Sequence, residues 1–298
     1  MNKINRRQFI QAGVTGLAGV TVIASGALNL NCTAPTALNI DKVKLGKSGL
    51  TVSRIAMGSG TVGGNKGSNQ VRLGMEKFVK LAHHAYQRGI TFFDSADGYG
   101  SHPYFGEAMK SLPREKITLL TKMWTVEDPN RREPVEKTLD RYRTETGSEY
   151  FDILLMHCLQ SGNWHETRKY YMDAFSKAKQ DGIVKAVGVS CHSFDALAEA
   201  AESPWVEVIM ARINPFGTNM DASPEKVKPV LEKAKKNGIG IIGMKIFGEG
   251  KHIKDEERQQ SLEYVLSPEG HIHCMTLGME SEAQVDDAIE RVMKIVKS

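Results

Sequence analysis

The chain has 298 residues, 41% of them hydrophobic and 25% charged, enough apolar side chain for one large core and incompatible with a disordered or collagen-like chain. Its 39 basic and 35 acidic side chains give a formal net charge of +4. No basic run reaches five residues and basic residues do not alternate with aromatic ones, which argues against a nucleic-acid partner. Four scattered cysteines, Cys32, Cys158, Cys191 and Cys274, lack the spacing of a zinc site or a disulfide framework, and the three near strand ends, Cys158, Cys191 and Cys274, read as small apolar fillers.

The N-terminus differs in kind from the rest. Lys3, Arg6 and Arg7 precede an uncharged stretch from Ala12 to Leu28, a charged region followed by an apolar one. The run Arg6-Arg7-Gln8-Phe9-Ile10 resembles the twin-arginine export signal, and the small residues Ser25 and Ala27 suit cleavage after Ala27. Residues 1–27 are thus expected to be a signal peptide, 28–42 a linker and 43–298 the mature domain. The resemblance implies the twin-arginine translocation machinery as partner, a periplasmic destination and membrane contact only through the signal; an uncleaved signal would leave an anchor. Removing residues 1–27 takes away three basic and no acidic side chains, leaving 36 − 35 = +1.

After the linker, "KVKLG" reads as a hairpin strand and "LTVSRIAMGSG" as a buried strand ending in glycines. Apolar strands then alternate with amphipathic helices. The strands are "RIAMG", "ITFFDSA", "ITLLTKM", "FDILLMH", "VKAVGVS", "VEVIMARI", "GIGIIGMKI" and "HIHCMTLGM". Helical periodicity marks the segments between and after them, from "MEKFVKLAHHAYQRG" to "SEAQVDDAIERVMKIVK". Near-continuous apolar strands need cover on both faces, so eight such units predict a parallel (β/α)8 TIM barrel with a short N-terminal hairpin. A doubly wound open sheet is the rival, but no Gly-x-Gly-x-x-Gly follows the first strand.

In a barrel, chemistry collects where strands end. "GITFFDSADGYG" delivers Asp94 and Tyr99 there, "LLTKMW" delivers Lys122 and "DILLMHCL" delivers His157. Each would be costly to bury alone, and together they can satisfy one another. Asp94 is expected to pair with Lys122, whose ammonium should lower the pKa of Tyr99 and make it a proton donor. Asp97 reads as a turn residue only. In this order and on these elements, Asp94, Tyr99, Lys122 and His157 resemble the catalytic tetrad of the aldo-keto reductase superfamily, and the likeness runs from "LGKSGLTVSRIAMGSG" to "GMESEAQVDDAIERV".

The resemblance implies an oxidoreductase that transfers hydride between NADP(H) or NAD(H) and a small aldehyde, ketone or alcohol, with no metal. It also implies cofactor positions: Gly60, Thr61, Ser190 and Met244 near the nicotinamide, with Lys245, Phe247 and Gly248 around the pyrophosphate. Gly278, Ser281 and Gln284 fall at the adenosine end. Cys191 and Met210 stand where the family usually has asparagine and glutamine. Gly278 and Gln284 replace the basic residues that commonly recognise a 2′-phosphate, and Glu280 lies nearby, so NADH use is credible. Trp124 and Trp164 are candidates for the substrate pocket. Two other readings stay open at this stage: a nucleotide-binding or sensor protein with little turnover, and a lyase using Lys122 as a Schiff-base amine.

Overall fold

The computed structural model describes residues 39–267 and 272–297. The expected signal peptide, Cys32, most of the expected linker and His271 lie outside the described residues. The first strands form a hairpin, β1 (Lys42–Lys44) pairing antiparallel with β2 (Thr51–Ser53). Eight parallel strands then close a barrel in chain order: β3 (Ile55–Gly58), β4 (Phe92–Asp94), β5 (Thr118–Trp124), β6 (Phe151–Leu159), β7 (Val184–Cys191), β8 (Val208–Arg212), β9 (Gly240–Met244) and β10 (Cys274–Leu277). The seam closes where β10 pairs with β3, Met275 beside Ile55 and Leu277 beside Met57.

The helices are α1 (Asn69–Arg72), α2 (Met75–Gln87), α3 (His102–Met109), α4 (Val135–Thr146), α5 (Trp164–Thr167), α6 (Lys169–Gln180), α7 (Phe194–Glu202), α8 (Pro224–Lys236), α9 (Asp255–Leu266) and α10 (Glu282–Lys297). They cover the barrel with the faces their periodicity predicts. In α2, Phe78, Leu81, Ala82 and Ala85 are the buried positions, a spacing of three, four and seven that lines up one apolar stripe. Each large side chain so buried contributes about 1.5–3 kcal/mol.

The expected parallel barrel is therefore the fold, with one refinement. The stretch 50–60 is two strands, broken at Arg54, where the chain leaves the hairpin for the barrel. Arg54 is fixed there by Asp41, its Nε donating to Oδ1 at 2.8 Å.

Strand alternation divides the core in two. Ala56, Phe92, Leu120, Ile153, Leu155, Ala186, Val208, Met210, Ile242, Met244 and Cys274 fill the barrel interior, and Leu45 and Val52 of the hairpin join them. The intervening residues pack outward against the helices. Any polar residue that continues an inward row must therefore emerge at the barrel mouth.

Candidate active site at the barrel mouth

Two inward rows end in charge. Asp94 closes β4 and Lys122 follows Leu120 on β5; they are 4% and 1% exposed, and their side chains form a close ion pair. Lys122 also donates to the Ser95 carbonyl at 3.0 Å. Burial works to strip its proton, but Asp94 and Tyr99 more than compensate and hold its pKa above the usual lysine value. A lysine paired with a carboxylate and held as ammonium is a poor Schiff-base nucleophile, which weighs against the lyase reading. Thr276 on β10 completes the cluster by donating to Asp94 Oδ2 at 2.8 Å. The sequence reading passed over Thr276; its alternation with the inward Cys274 was the available signal.

Tyr99 arrives on a 3-10 turn, Asp97–Tyr99, immediately after β4. Its hydroxyl lies 3.4 Å from His157 Nε2, and Lys122 Nζ is 4.9 Å from its ring centroid. The loop after β3 passes directly over the ring: a Cβ on Gly60 would come within 2.3 Å of it and one on Gly63 within 2.7 Å. Glycine is required there by close approach. The expected lowering of the Tyr99 pKa is not what the structure gives. Burial pushes the phenol up, Lys122 pulls it back only in part, and the net direction is upward. His157 is held neutral, well below the ordinary histidine value, by burial and by the charge of Lys122.

Asp97 is more than a turn residue. It pairs with Lys66, and Arg141 on α4 donates to its Oδ1 at 2.8 Å. Burial alone would raise its pKa, but these two cations hold it at about 2. Arg141 also reaches Glu145 at 2.8 Å, Glu145 holds buried His102 at 2.9 Å, and His102 contacts Thr121 at 2.8 Å. The turn bearing Tyr99 is thus tied to the strand bearing Lys122 from behind. Asp97, His102 and Glu145 could converge on one ion, but Arg141 already takes both carboxylates.

Beside the four residues runs an open cleft of about 370 Å³. Gly60, Thr61, Met210, Met244, Lys245, Phe247, Gly278 and Gln284 line it together with Asp94 and Tyr99. Ser190 is 1% exposed, and its buried Oγ has no hydrogen-bond partner. At the far end, Asn69 donates to Glu280 at 2.7 Å, and the Glu280 amide donates to Gln284 at 2.7 Å. Buried Gln70, unmarked in the sequence, braces the first loop through both the amide and hydroxyl of Thr61. Lys245 lines the cleft already paired with Glu249.

Two expected contacts point away from the cleft, and two more flank its lining residues. Trp164 is 1% exposed and packs near Trp205, because the short helix α5 turns its indole inward to donate to the Ala196 carbonyl at 3.3 Å. Cys191 follows the inward Ser190 and so points outward, fully buried among the helices. Gly248 sits in a left-handed turn facing Thr218 and His252. Ser281 caps the start of α10, its hydroxyl accepting from the Gln284 amide at 3.3 Å. Trp124 does stand at the mouth, 59% exposed and 5.7 Å from the His157 ring centroid.

The chain is 26% identical to L-galactose dehydrogenase of Arabidopsis thaliana over 208 residues, 66% of this chain and 62% of that protein. It is 23% identical to the NADH-specific methylglyoxal reductase of Escherichia coli over 229 residues, 67% and 65% of the two. The chain spans about three fifths of the length of the curated relatives it matches first. Among solved structures, an aldo-keto reductase from Bacillus halodurans superposes with a TM-score of 0.64 at 18% identity, covering 85% of this chain and 91% of that one; this shows the shared fold. A sequence profile of the Aldo/keto reductase family matches residues 54–297. On that match, which takes in the whole barrel and its mouth, the chain belongs to the aldo/keto reductase family of oxidoreductases.

Proposed function

We propose that the chain reduces an aldehyde or ketone, or oxidises the corresponding alcohol, with Tyr99 exchanging the proton at the substrate oxygen. The observation that carries this reading is the placement of the Tyr99 hydroxyl, 3.4 Å from neutral His157 and beside a buried ammonium that Asp94 holds in place. A carbonyl oxygen between Tyr99 and His157 accepts a hydrogen bond from each. Negative charge grows on that oxygen as the carbonyl is reduced, and the Tyr99 proton passes to it. The phenolate left behind is stabilised by Lys122.

The residues of the cleft fit a nicotinamide nucleotide. Ser190 Oγ is an unpaired buried group of the kind a carboxamide satisfies, and Met244 offers an apolar surface for the ring. When bound, the nucleotide supplies the hydride. At the far end, Glu280 and Gln284 present a carboxylate and an amide where a 2′-phosphate would need cations, which supports NAD(H) over NADP(H).

The direct test is loss of reduced-nicotinamide absorbance with a broad carbonyl panel. Turnover should appear in the wild type and disappear in Tyr99→Phe, with nucleotide binding retained. Binding without turnover across the panel would instead establish the sensor reading, which Met210 favours by lacking a hydrogen bond for the carboxamide.

The N-terminal residues support export in the folded state by the twin-arginine route to the periplasm. We propose that the nucleotide travels with the protein and is retained through turnover. Native mass spectrometry of exported material should find it bound; exported protein that carries none and binds it weakly would refute retention.

A further inference from the structure

The loop that follows β9 folds back on itself at the edge of the nucleotide cleft. Lys245, Gly248, Glu249 and Gly250 all have left-handed backbones, a shape the lysine and the glutamate adopt at a cost that the glycines do not bear. The turn brings the Lys245 ammonium against Glu249 Oε1. The other carboxylate oxygen, Oε2, accepts from Asn219 Nδ2 at 3.1 Å, and the same amide donates to the Gly248 carbonyl at 3.2 Å. Asn219 lies on the loop after β8, which Asn214 ties to this turn by donating to the Lys245 carbonyl at 3.1 Å. Two loops thus converge to set one carboxylate beside one ammonium.

The charges along the cleft make this pair consequential. Among the described residues that line it, Asp94, Glu249 and Glu280 are carboxylates and Lys245 is the one cation. Asp94 already has buried Lys122, and Glu280 accepts from Asn69 at 2.7 Å. A dinucleotide brings a pyrophosphate with two negative charges, and Lys245 is the lining side chain that can meet it with a positive one. In this structure Glu249 neutralises that ammonium. The Lys245 side chain is 22% exposed and that of Glu249 33%, so both are open to a ligand in the cleft. A partly exposed ion pair is held weakly, and a pyrophosphate drawn to Lys245 meets the Glu249 carboxylate as a like charge.

We infer that Glu249, set in place by Asn219, competes with the pyrophosphate of a nicotinamide dinucleotide for Lys245, and that its displacement from the ammonium is part of nucleotide binding. This rests on the nucleotide reading of the same cleft. Binding breaks one ion pair of Lys245 to form another, so the carboxylate lowers the affinity that the lysine alone would give.

Titration of the full chain with NADH, followed by nucleotide fluorescence, tests the inference without reference to turnover. Glu249→Gln keeps the size of the side chain and removes its charge; it should tighten NADH at least about fivefold. Lys245→Met should weaken NADH at least about fivefold. The double variant should bind like Lys245→Met alone, within about twofold, because the carboxylate then has no ammonium to occupy. Asn219→Ala frees the carboxylate from its second donor while leaving both charges in place, and should tighten NADH about twofold. Unchanged or weaker affinity in Glu249→Gln, with NADH still bound by the wild type, would overturn the inference and leave the nucleotide reading standing. Tightening that persists in full in the double variant would also overturn it, since the carboxylate would then act by general repulsion and not through Lys245. Failure of the wild type and of Glu249→Gln to bind either NADH or NADPH would refute the nucleotide reading itself.

Discussion

Thr276 and Asp94 meet across the seam at which the barrel closes: the hydroxyl on the last strand donates to the carboxylate on the second at 2.8 Å. Asp94 thereby receives Lys122 on one oxygen and Thr276 on the other, so its orientation depends on closure of the sheet itself. Thr276→Val should remove one donor from a buried carboxylate and cost about 1–3 kcal/mol. Denaturant unfolding should show that loss, and turnover should fall about tenfold if Asp94 orientation sets the position of Lys122. Thr276→Ser should restore both; a serine variant as impaired as the valine one would make the hydroxyl irrelevant.

The Asp94–Lys122 pair yields a second prediction through a double-mutant cycle. Lys122→Met leaves the carboxylate buried without its cation and should destabilise the fold by about 3–5 kcal/mol. Asp94→Asn combined with Lys122→Met removes both charges and should recover at least about 1 kcal/mol of that loss. Activity should not return with stability, because Tyr99 still lacks the cation that stabilises its phenolate. Additive stability losses would mean that the pair is not coupled.

How much of this was legible beforehand follows from what each residue answers to. The barrel was readable because unbroken apolar strands admit few architectures, and the four residues at its mouth because polar groups at the ends of such strands stand out. Which face a neighbour takes is a matter of register: Ser190 points in and Cys191 out, and a residue list drawn from a loop motif does not carry that parity. Trp164 was unreadable for a related reason, since a four-residue helix has too little periodicity to announce its buried side. Asp97 looked like a turn residue because its partners, Lys66 and Arg141, are 31 and 44 residues away. The upward direction at Tyr99 is a burial effect, and the burial comes partly from Gly60 and Gly63 lying on the ring.

The protonation states predict an unusual pH profile. Burial, opposed only in part by Lys122, raises Tyr99 above its ordinary value near 10, so the proton donor is present throughout the neutral range. His157 is depressed well below 6.5 by burial and Lys122, so it stays neutral over the same range. The reductive rate should therefore be flat between about pH 6.5 and 9 where proton donation limits it, and the oxidative rate should climb with pH because it needs the phenolate. Paired pH profiles of kcat in the two directions check this. A reductive inflection near 6.5 that vanishes in His157→Gln would place a titrating histidine in the mechanism and contradict the structure.

The network behind Tyr99 gives the last prediction. Asp97 sits at about 2 because Arg141 and Lys66 outweigh its burial. A carboxyl whose folded pKa lies below its unfolded value contributes stability that is complete above the unfolded value and disappears as pH falls through the folded one. The stability difference between wild type and Asp97→Asn should therefore be constant above about pH 5 and shrink between about pH 4 and 2. Asp97 is partly open to solvent, so the plateau is expected at only about 1 kcal/mol. The kinetic effect should be larger than that figure suggests, since the two residues after Asp97 end in Tyr99 and a loosened turn misplaces the hydroxyl. Turnover should fall at least about tenfold with nucleotide affinity unchanged, and Arg141→Met should reproduce the pattern. An Asp97 variant with full turnover and the predicted acid response would make the network purely a stabilising one, because Tyr99 would then hold its place through Gly60, Gly63 and the barrel alone.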